Sequence, residues 1–343
     1  MMKKFLYAVL ILGLIAGFVA YWAYGSIFNP NTSFTQSEYE LKIPQESSYK
    51  SVINQLESNK VLEDIESFDR VAEWMKYKKE VVPSGRYIIK KGWNNREIIG
   101  LLRSGVQKPV SVTFNNVRSM DQLAGLITKD LEVDSATLAQ YFNQTDLIDK
   151  LGYTKESFMS AFIPNTYSMY WNVTPENIVS RMIKEKESFW NQKDRKAKAD
   201  KLELTEAEIY TLASIVEKES QHGPERPTIA GLYLNRLKRG IALQADPTVV
   251  YANGDFGLRR VLNKHLEFDS PYNTYKYSGL PPGPIYMPSI QSIDAVLDYK
   301  KHDYLFMCAK PGYGTKHAFA KTLRGHNKNA NEYRAWLNTQ GIR

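Results

Sequence analysis

The sequence predicts an α+β protein that begins with a single transmembrane helix. Short stretches with an apolar residue at every second position alternate with stretches at helical spacing, which indicates strands mixed with helices. An uncharged apolar run near the N-terminus stands apart from this mixture. The chain has 343 residues, 43% of them hydrophobic and 24% charged, which is ordinary for folded protein and long for one core. We therefore expect at least two folded domains after the membrane helix.

The N-terminal apolar run, from Phe5 to about Tyr24, has the length of about 20 residues that a helix needs to cross a bilayer core. Lys3 and Lys4 precede it, so the positive-inside rule places this end in the cytoplasm and the remaining chain outside. A cleaved signal peptide is the alternative, although its apolar core usually has about 7 to 15 residues. We predict a retained anchor over residues 1–28, single-pass in the cytoplasmic membrane, with an extracytoplasmic or periplasmic working part.

After a polar linker, residues 29–36, the chain predicts a small α+β module over residues 38–107. The module ends where a glycine follows a helix with an apolar face. Its predicted elements, in order, are a strand over residues 39–43, a helix around Val52 to Leu56, a helix around Phe68 to Met75, a strand over residues 85–89, and a helix that Asn94 or Asn95 caps and Gly105 ends.

A mixed segment follows over residues 108–200, and a last domain covers residues 201–343. The dense charges between residues 184 and 201 predict a solvated helix end or hinge. The only cysteine of the chain, Cys308, lies in an apolar run and is expected to act as a small hydrophobic residue in a strand.

The charge balance favours an anionic neighbour. Lysine and arginine number 45 against 37 aspartate and glutamate residues, a net charge of +8. Such a surplus suits nucleic acid, anionic lipid or an anionic wall polymer. Nucleic acid is set aside, because no basic-aromatic motif is present and the predicted topology places the charge outside the membrane.

The last domain opens with a clearly signalled helix. Thr205 and Glu208 form a capping box, so we expect the helix to start at about Glu206 and to contain ASIVEKES, residues 213–220. Taken alone, an acid in that stretch favours a surface position or a structural ion pair over a cleft, because structural ion pairs are common.

The two acids of ASIVEKES are expected to point apart. At about 100° per residue, Glu217 lies on the side of the small residues Ala213 and Ser214, whereas Glu219 lies closer to the side of Leu212. Small residues one turn before Glu217 would leave room for a ligand above its carboxylate. This geometry permits a cleft acid at Glu217 without requiring one, and one of the two acids is compatible with an ordinary surface position beside Lys218.

Polar motifs in turn-forming sequence follow this helix. They combine amide, hydroxyl, aromatic and imidazole groups, which suit a sugar because flat sugar faces stack on aromatics and hydroxyls need fixed donors and acceptors. The motifs are LQADPTVV at 243, YNTY at 272, GLPPGP at 279, HAFA at 317 and GHN at 325.

These motifs, in this order, match one known family. With ASIVEKES at 213, NRL at 235, LQADPTVVY at 243, YNTY at 272, GLPPGPI at 279 and the HAF and HN segments at 317 and 326, the chain resembles the membrane-anchored endolytic murein transglycosylases, the YceG-like proteins. The match extends to the N-terminal anchor, to GRYIIKKG at 85 in a module that resembles LysM, and to FIPNTY at 162. The resemblance covers nearly the whole chain.

The resemblance implies a lytic transglycosylase with one essential acid, which falls on Glu217. As general acid it would protonate the glycosidic oxygen between N-acetylmuramic acid and N-acetylglucosamine, with a pKa raised towards about 6 to 7. It would then act as base on the sugar's own C6 hydroxyl and leave a 1,6-anhydro end, so that a second carboxylate is not required. Cleavage of nascent strands would end their elongation.

The same resemblance gives Glu219 a structural role and implies contacts with the sugar. No metal is expected, because His317 and His326 are nine residues apart with no acidic metal-ligand pattern near them, and no cofactor is expected. For several of these residues a turn-forming or packing role is equally compatible with the sequence. The expected substrate-binding residues are Gln244, Asp246, Thr248, Asn273, Tyr275, His317, His326 and Asn327.

Two rival functions remain open at this point. One is a muramidase that adds water with the help of Asp246. The other is a membrane-anchored scaffold that binds peptidoglycan without turnover. In every case the expected partners are glycan strands and the membrane, and the placement suggests proximity to the cell-wall synthesis machinery. The LysM-like module would hold nascent strands at a set distance from the membrane.

Overall fold

The computed structural model describes residues 2–258, 260–312 and 316–341 and divides into two compact units. The first unit comprises residues 1–111, 130–133 and 168–173, and the second comprises residues 112–129, 134–167 and 174–343. The last two residues of the predicted final domain, and Met1 of the predicted anchor, lie outside the described residues. The predicted division at residues 28, 107 and 200 stays a prediction.

Helices and short strands alternate along the chain, which confirms a mixed helix and strand protein. The helices are α1 Met2–Phe28, α2 Tyr49–Ser58, α3 Ile65–Trp74, α4 Asn95–Ser104, α5 Met120–Thr128, α6 Ser135–Phe142, α7 Thr145–Lys150, α8 Pro175–Asn191, α9 Arg195–Leu202, α10 Glu206–Glu219, α11 Arg226–Lys238, α12 Asp246–Asn253, α13 Asn263–Leu266, α14 Ile290–Leu297 and α15 Leu323–Thr339. The strands are β1 Glu38–Ile43, β2 Gly85–Lys90, β3 Val110–Phe114, β4 Asn165–Met169, β5 Phe306–Ala309 and β6 His317–Ala320. They form the pairs β1 with β2, β3 with β4, and β5 with β6.

The first unit contains the predicted order of strand, two helices, strand and helix. β1 and β2 are antiparallel, with Leu41 opposite Tyr87, and both side chains are fully buried against the helices. Asn94 forms a capping box with Glu97 at the start of α4, and Gly105 ends that helix in the left-handed region at φ 68°. These local elements are confirmed, because caps and apolar spacing are written in the sequence itself.

The helix α1 is long and apolar enough to cross a membrane. Its last two turns contact other residues of the first unit: the Arg70 guanidinium lies 4.7 Å from the Trp22 ring centroid, and Asn95 Nδ2 donates to the Ser26 carbonyl at 2.8 Å. The stretch predicted to be a polar linker is pinned rather than free, since Asn31 is buried and its backbone N–H donates to the Trp93 carbonyl at 2.9 Å. The segment that follows α1 is therefore held by hydrogen bonds within the first unit and is not a free linker.

The charge-rich stretch over residues 184–201 contains the end of α8 and is mostly solvent-exposed, which agrees with the predicted solvated helix end, but several of its side chains pack inward. Trp190 is fully buried, and Arg195 is only 3% exposed. The Arg195 guanidinium donates to the Asp294 carboxylate at 2.8 Å and lies 3.8 Å from the Phe189 ring centroid. The composition does not reveal these inward side chains, because the surrounding charged residues outnumber them and because a buried guanidinium is tolerated when it is paired.

In the second unit, α10 is a central helix whose residues 209–216 are all buried, and it packs against α9, α11, α12 and α14. The predicted capping box is present, with the Thr205 hydroxyl accepting from the Glu208 backbone. Close packing also depends on Gly231 in α11, where a Cβ would overlap the Lys300 carbonyl and the His302 ring. The C-terminal end of α10 is thereby fixed against its neighbours.

Candidate active site

The end of α10 reaches a cleft in the second unit. The cleft has a volume of about 330 Å³ and is bordered by α10, α11, the start of α12, β5, β6 and α15. Its lining includes both apolar groups and convergent polar side chains, as a sugar site requires. The lining residues are Glu219, Leu232, Tyr233, Arg236, Leu243, Gln244, Asp246, Tyr275, Phe306, Met307, Cys308, Ala309, His317, Leu323 and His326.

Glu219 is the glutamate of ASIVEKES that lines this cleft. Its carboxylate Oε1 accepts a hydrogen bond from the Tyr233 hydroxyl at 2.6 Å. Burial raises the pKa of Glu219 to about 7, while the Tyr233 hydrogen bond opposes this rise, Asp246 adds to it by repulsion, and Arg236 opposes it. A carboxyl group with such a pKa can both give up and take back a proton near neutral pH.

Glu217, the acid that was expected in the cleft, is held elsewhere. Its Oε2 accepts from the Ser289 backbone N–H at 2.6 Å and from the Ser289 hydroxyl at 2.9 Å. Its Oε1 lies 3.9 Å from Arg226 Nη2. Ser289 is the N-cap of α14, so Glu217 ties the end of α10 to the start of α14. It does not line the cleft that Glu219 borders.

The small residues before Glu217 were expected to leave room for a ligand, but another part of the chain covers them. Ala213 and Ser214 are fully buried, and the Ser214 hydroxyl accepts from the Ile285 backbone N–H at 3.1 Å. The room above this face is therefore filled by the chain at Ile285 and not left for a ligand. The acids do point apart, as predicted, but the face that meets the cleft is the other one.

Three of the predicted sugar contacts lie together in the cleft with Glu219. The Tyr275 hydroxyl donates to Asp246 Oδ1 at 2.6 Å, and Asp246 opens α12. Gln244, whose φ of 52° is left-handed, accepts from Arg236 Nη1 through its side-chain oxygen at 3.1 Å. The same guanidinium donates to the carbonyls of residues 242, 243 and 305, so it fixes both walls of the cleft.

Both predicted histidines also line the cleft. His317 Nδ1 lies 3.1 Å from Glu225 Oε2, and its backbone N–H donates to the same carboxylate at 3.0 Å. His326 is stacked on Phe306 with ring centroids 5.5 Å apart. Burial, with a smaller contribution from Arg236, lowers the pKa of His326, which favours the neutral ring. Cys308 lies in β5, as predicted, and faces the same cleft.

The remaining three predicted contacts do not reach the cleft. Thr248 is fully buried, with its hydroxyl 2.7 Å from the Ala245 carbonyl and 2.8 Å from the Thr274 hydroxyl. Asn273 is fully buried, and its amide donates to two backbone carbonyls. Asn327 is exposed on α15. Thr248 and Asn273 support the cleft walls from behind. Their buried polar groups are hydrogen-bonded to the neighbouring chain, as buried polar groups in folded proteins generally are.

Sequence reasoning gave no role to Tyr233, to the Arg236 side chain or to Glu225. A signal was present for the first two, because Tyr233 and Arg236 are three residues apart in α11 and therefore share a face of that helix. No sequence signal links Glu225 to His317, which lies 92 residues further along the chain.

A second cavity, of about 690 Å³, borders the first. Glu219 and Asp246 line both, and the second is further lined by Arg118, Lys218 and Arg260 and by several aromatic rings. The candidate acid therefore stands between two recesses, an arrangement that suits a polymer bound on both sides of the bond that reacts.

Comparisons with known proteins point to one family. The model of a family described as YceG-like matches residues 41–332. The chain is 31% identical over 325 residues to an endolytic murein transglycosylase of Bacillus subtilis, covering 90% of this chain and 88% of that one. It is 27% identical to a protein of the same name from Streptococcus pneumoniae, covering 85% of this chain but only 57% of the length of that relative. A solved YceG-like structure from Listeria monocytogenes matches with a TM-score of 0.55 at 27% identity, covering 86% of this chain and 99% of the other.

Proposed function

The chain belongs to the YceG-like family, and on that premise we propose that it is a peptidoglycan lytic transglycosylase whose general acid is Glu219. The observation that carries the proposal is the position of Glu219 in a polar cleft, where burial raises its pKa to about 7. The names of the relatives support the reaction class.

In the proposed reaction Glu219 protonates the glycosidic oxygen between N-acetylmuramic acid and N-acetylglucosamine. The bond to C1 of the muramic acid breaks, and the carboxylate then removes the proton from the C6 hydroxyl of the same sugar as that oxygen attacks C1. The product carries a 1,6-anhydro ring, and no water is consumed. Tyr233 holds the carboxylate in place throughout, because its hydroxyl donates to Oε1.

Asp246 supports a second candidate, a muramidase that adds water. Its carboxylate lines the same cleft as Glu219, and two carboxylates flanking a bond are the arrangement of glycoside hydrolases. We rank it second because Asp246 Oδ1 already accepts from Tyr275 at 2.6 Å, which suits a positioning role in the cleft wall.

Placement at the membrane completes the proposal. The helix α1 would be a single-pass anchor in the cytoplasmic membrane, and both units would be extracytoplasmic or periplasmic. The module over residues 38–107, with its strand, two helices and strand, would be LysM-like and hold glycan near the membrane. Cutting nascent strands at that place would end their elongation and bring the protein close to the cell-wall synthesis machinery.

Mass spectrometry of fragments released from purified peptidoglycan tests the reaction. The detergent-solubilised full chain is compared with Glu219→Gln and with the matched variant Glu217→Gln, two residues earlier on the same helix. We expect anhydro-ended products from the wild type and a loss of about 10²- to 10⁴-fold in kcat/KM for Glu219→Gln, as for removal of a general acid. Glu217→Gln should keep the anhydro products and lose stability, because it weakens the link to Ser289.

The alternatives give distinct outcomes. A folded Glu217→Gln protein without activity beside an active Glu219→Gln protein would restore the assignment made from sequence. Products one water heavier would support the muramidase and turn attention to Asp246. Binding of glycan without any release would support the scaffold.

A further inference from the structure

The second cavity carries a cationic group that the proposed reaction leaves unexplained. Arg118, before α5, and Lys218, in α10, line this cavity of about 690 Å³ together with the acid Glu219. Protonation and ring closure on a neutral sugar need an acid and hydroxyl contacts but no fixed cations. A pair of cations beside the reacting bond therefore calls for a separate explanation.

Among the described residues, neither cation has a carboxylate partner at ion-pair distance. No carboxylate oxygen in that part of the chain lies within 4.0 Å of the Arg118 guanidinium or of Lys218 Nζ, whereas many other basic residues are paired. Glu156 borders a neighbouring cavity that Arg118 also lines, without forming an ion pair with it. The carboxyl groups of Glu219 and Asp246 line the same cavity without reaching ion-pair distance of either cation, and Arg260 adds a further positive charge.

Aromatic rings hold both cations in place. The Arg118 guanidinium lies 4.6 Å from the Phe256 ring centroid, and Lys218 Nζ lies 3.3 Å from that of Tyr286. Burial and, next, the like charge of Arg118 lower the pKa of Lys218, while Glu217 opposes this change from a distance. Holding like charges near each other costs free energy, and an anionic ligand between them would recover it.

We propose that Arg118 and Lys218 form an anion-binding subsite, adjacent to Glu219, that takes a carboxylate of the peptide stem carried by the substrate. The inference rests on the proposed function, because the muramic acid at the scissile bond bears this stem on its lactyl group. The stem carboxylates are thus the negative charges that lie near each reacting bond. The sugars on either side are neutral, and a guanidinium is well shaped for a carboxylate.

The test compares two glycan substrates of equal length, one with its stems intact and one stripped of them by an amidase, after which the lactyl carboxyl groups that the amidase frees are converted to neutral amides. The full chain in detergent is assayed beside Arg118→Gln, Lys218→Gln and the charge-retaining Arg118→Lys. Lys238→Gln, which changes an exposed lysine on α11, is the matched control. We expect each glutamine variant in the cavity to lower kcat/KM on stem-bearing strands about 10- to 100-fold, as for one lost contact to a charged group. On stripped strands they should match the wild type, and Arg118→Lys should recover most of the loss.

A binding measurement separates this inference from the proposed function. In the Glu219→Gln background, calorimetry needs no turnover, and it compares a disaccharide that carries its stem with the same disaccharide whose lactyl group ends in a neutral amide. Tighter binding of the stem-bearing compound, lost on Arg118→Gln, supports the subsite even if the reaction proves hydrolytic. Equal binding of both compounds, or equal losses by Arg118→Gln on both strands, overturns the subsite and leaves the transglycosylase intact.

Discussion

At the scale of single residues, the proton affinity of Glu219 sets the pH range of activity. Since the acid must be protonated at the start of the reaction, we expect kcat/KM to fall as the pH rises through about 7. Tyr233→Phe removes a hydrogen bond that favours the charged form of Glu219. The fall of kcat/KM with rising pH, the alkaline limb of the profile, should therefore move to higher pH. Asp246→Asn removes a repulsive charge and should move it to lower pH. Profiles of anhydro-product release measure both changes.

A tyrosine outside the cleft supplies the control for these profiles. Tyr141→Phe, on α6, should leave the limb where the wild type has it. Movement of the limb in the same direction by Tyr233→Phe and Asp246→Asn would contradict the assignment of the titrating group to Glu219.

The same carboxyl group lowers the stability of the protein above neutral pH. Because the pKa of Glu219 is raised in the folded state, the folded protein binds its proton more tightly than the unfolded chain, and this contribution is lost as pH rises through about 7. The neutral Glu219→Gln avoids that loss. The unfolding free energy of Glu219→Gln minus that of the wild type should therefore rise by about 3 kcal/mol from pH 4 to pH 8. The size follows because each tenfold change in proton affinity corresponds to about 1.4 kcal/mol.

Urea unfolding of both proteins at the two pH values measures this difference. Glu217→Gln serves as the comparison and should be less stable than the wild type at pH 8, since its carboxylate is a structural link. If Glu219→Gln is instead destabilised relative to the wild type more at pH 8 than at pH 4, the folded protein favours the ionised form of Glu219. That result would contradict its assignment as the general acid.

At the scale of helices and strands, local signals were sufficient for the elements but not for the cleft. The capping box at Thr205 and the cap at Asn94 or Asn95 are read from three or four neighbouring residues, and the structure contains the box at Thr205 and a cap at Asn94. Which glutamate of α10 faces the cleft depends on how that helix is rotated against α11 and α14, which lie elsewhere in the sequence. Ser289, the partner of Glu217, is 72 residues away. Burial of Trp190 within a charged stretch depends on distant packing in the same way.

Gly231 offers a prediction at this scale, because it lets α11 approach the chain at Lys300. Gly231→Ala should push α11 outward, cost about 1 to 3 kcal/mol of stability by overpacking, and displace Tyr233 and Arg236 from the cleft. Thermal unfolding and the rate of anhydro-product release measure the two effects. Gly125→Ala, on α5, where a Cβ meets nothing within 4 Å, is the matched control and should be neutral or stabilising. Equal behaviour of the two variants would contradict the close approach at Gly231.

At the scale of the whole molecule, the junction between α1 and the first unit argues for a retained anchor. Trp22 contacts Arg70, the Ser26 carbonyl accepts from Asn95, and the buried Asn31 fixes the chain that follows. Removal of α1 as a signal peptide would take away or expose these contacts. The last turn of α1 is thus part of the fold as well as the end of an apolar span.

We therefore expect the protein from cells to keep its full mass of 39.4 kDa and to stay with the membrane pellet after an alkaline carbonate wash. Protease added outside protoplasts should digest both units, because the lysines before α1 favour a cytoplasmic N-terminus.

Leu12→Lys, which places a charge in the middle of α1, costs about 3 kcal/mol of insertion free energy and should release part of the protein from the pellet. Leu323→Lys, an exposed position on α15, is the control and should stay in the pellet. A mature N-terminus beyond residue 20, together with recovery in the wash, would instead establish the cleaved signal peptide.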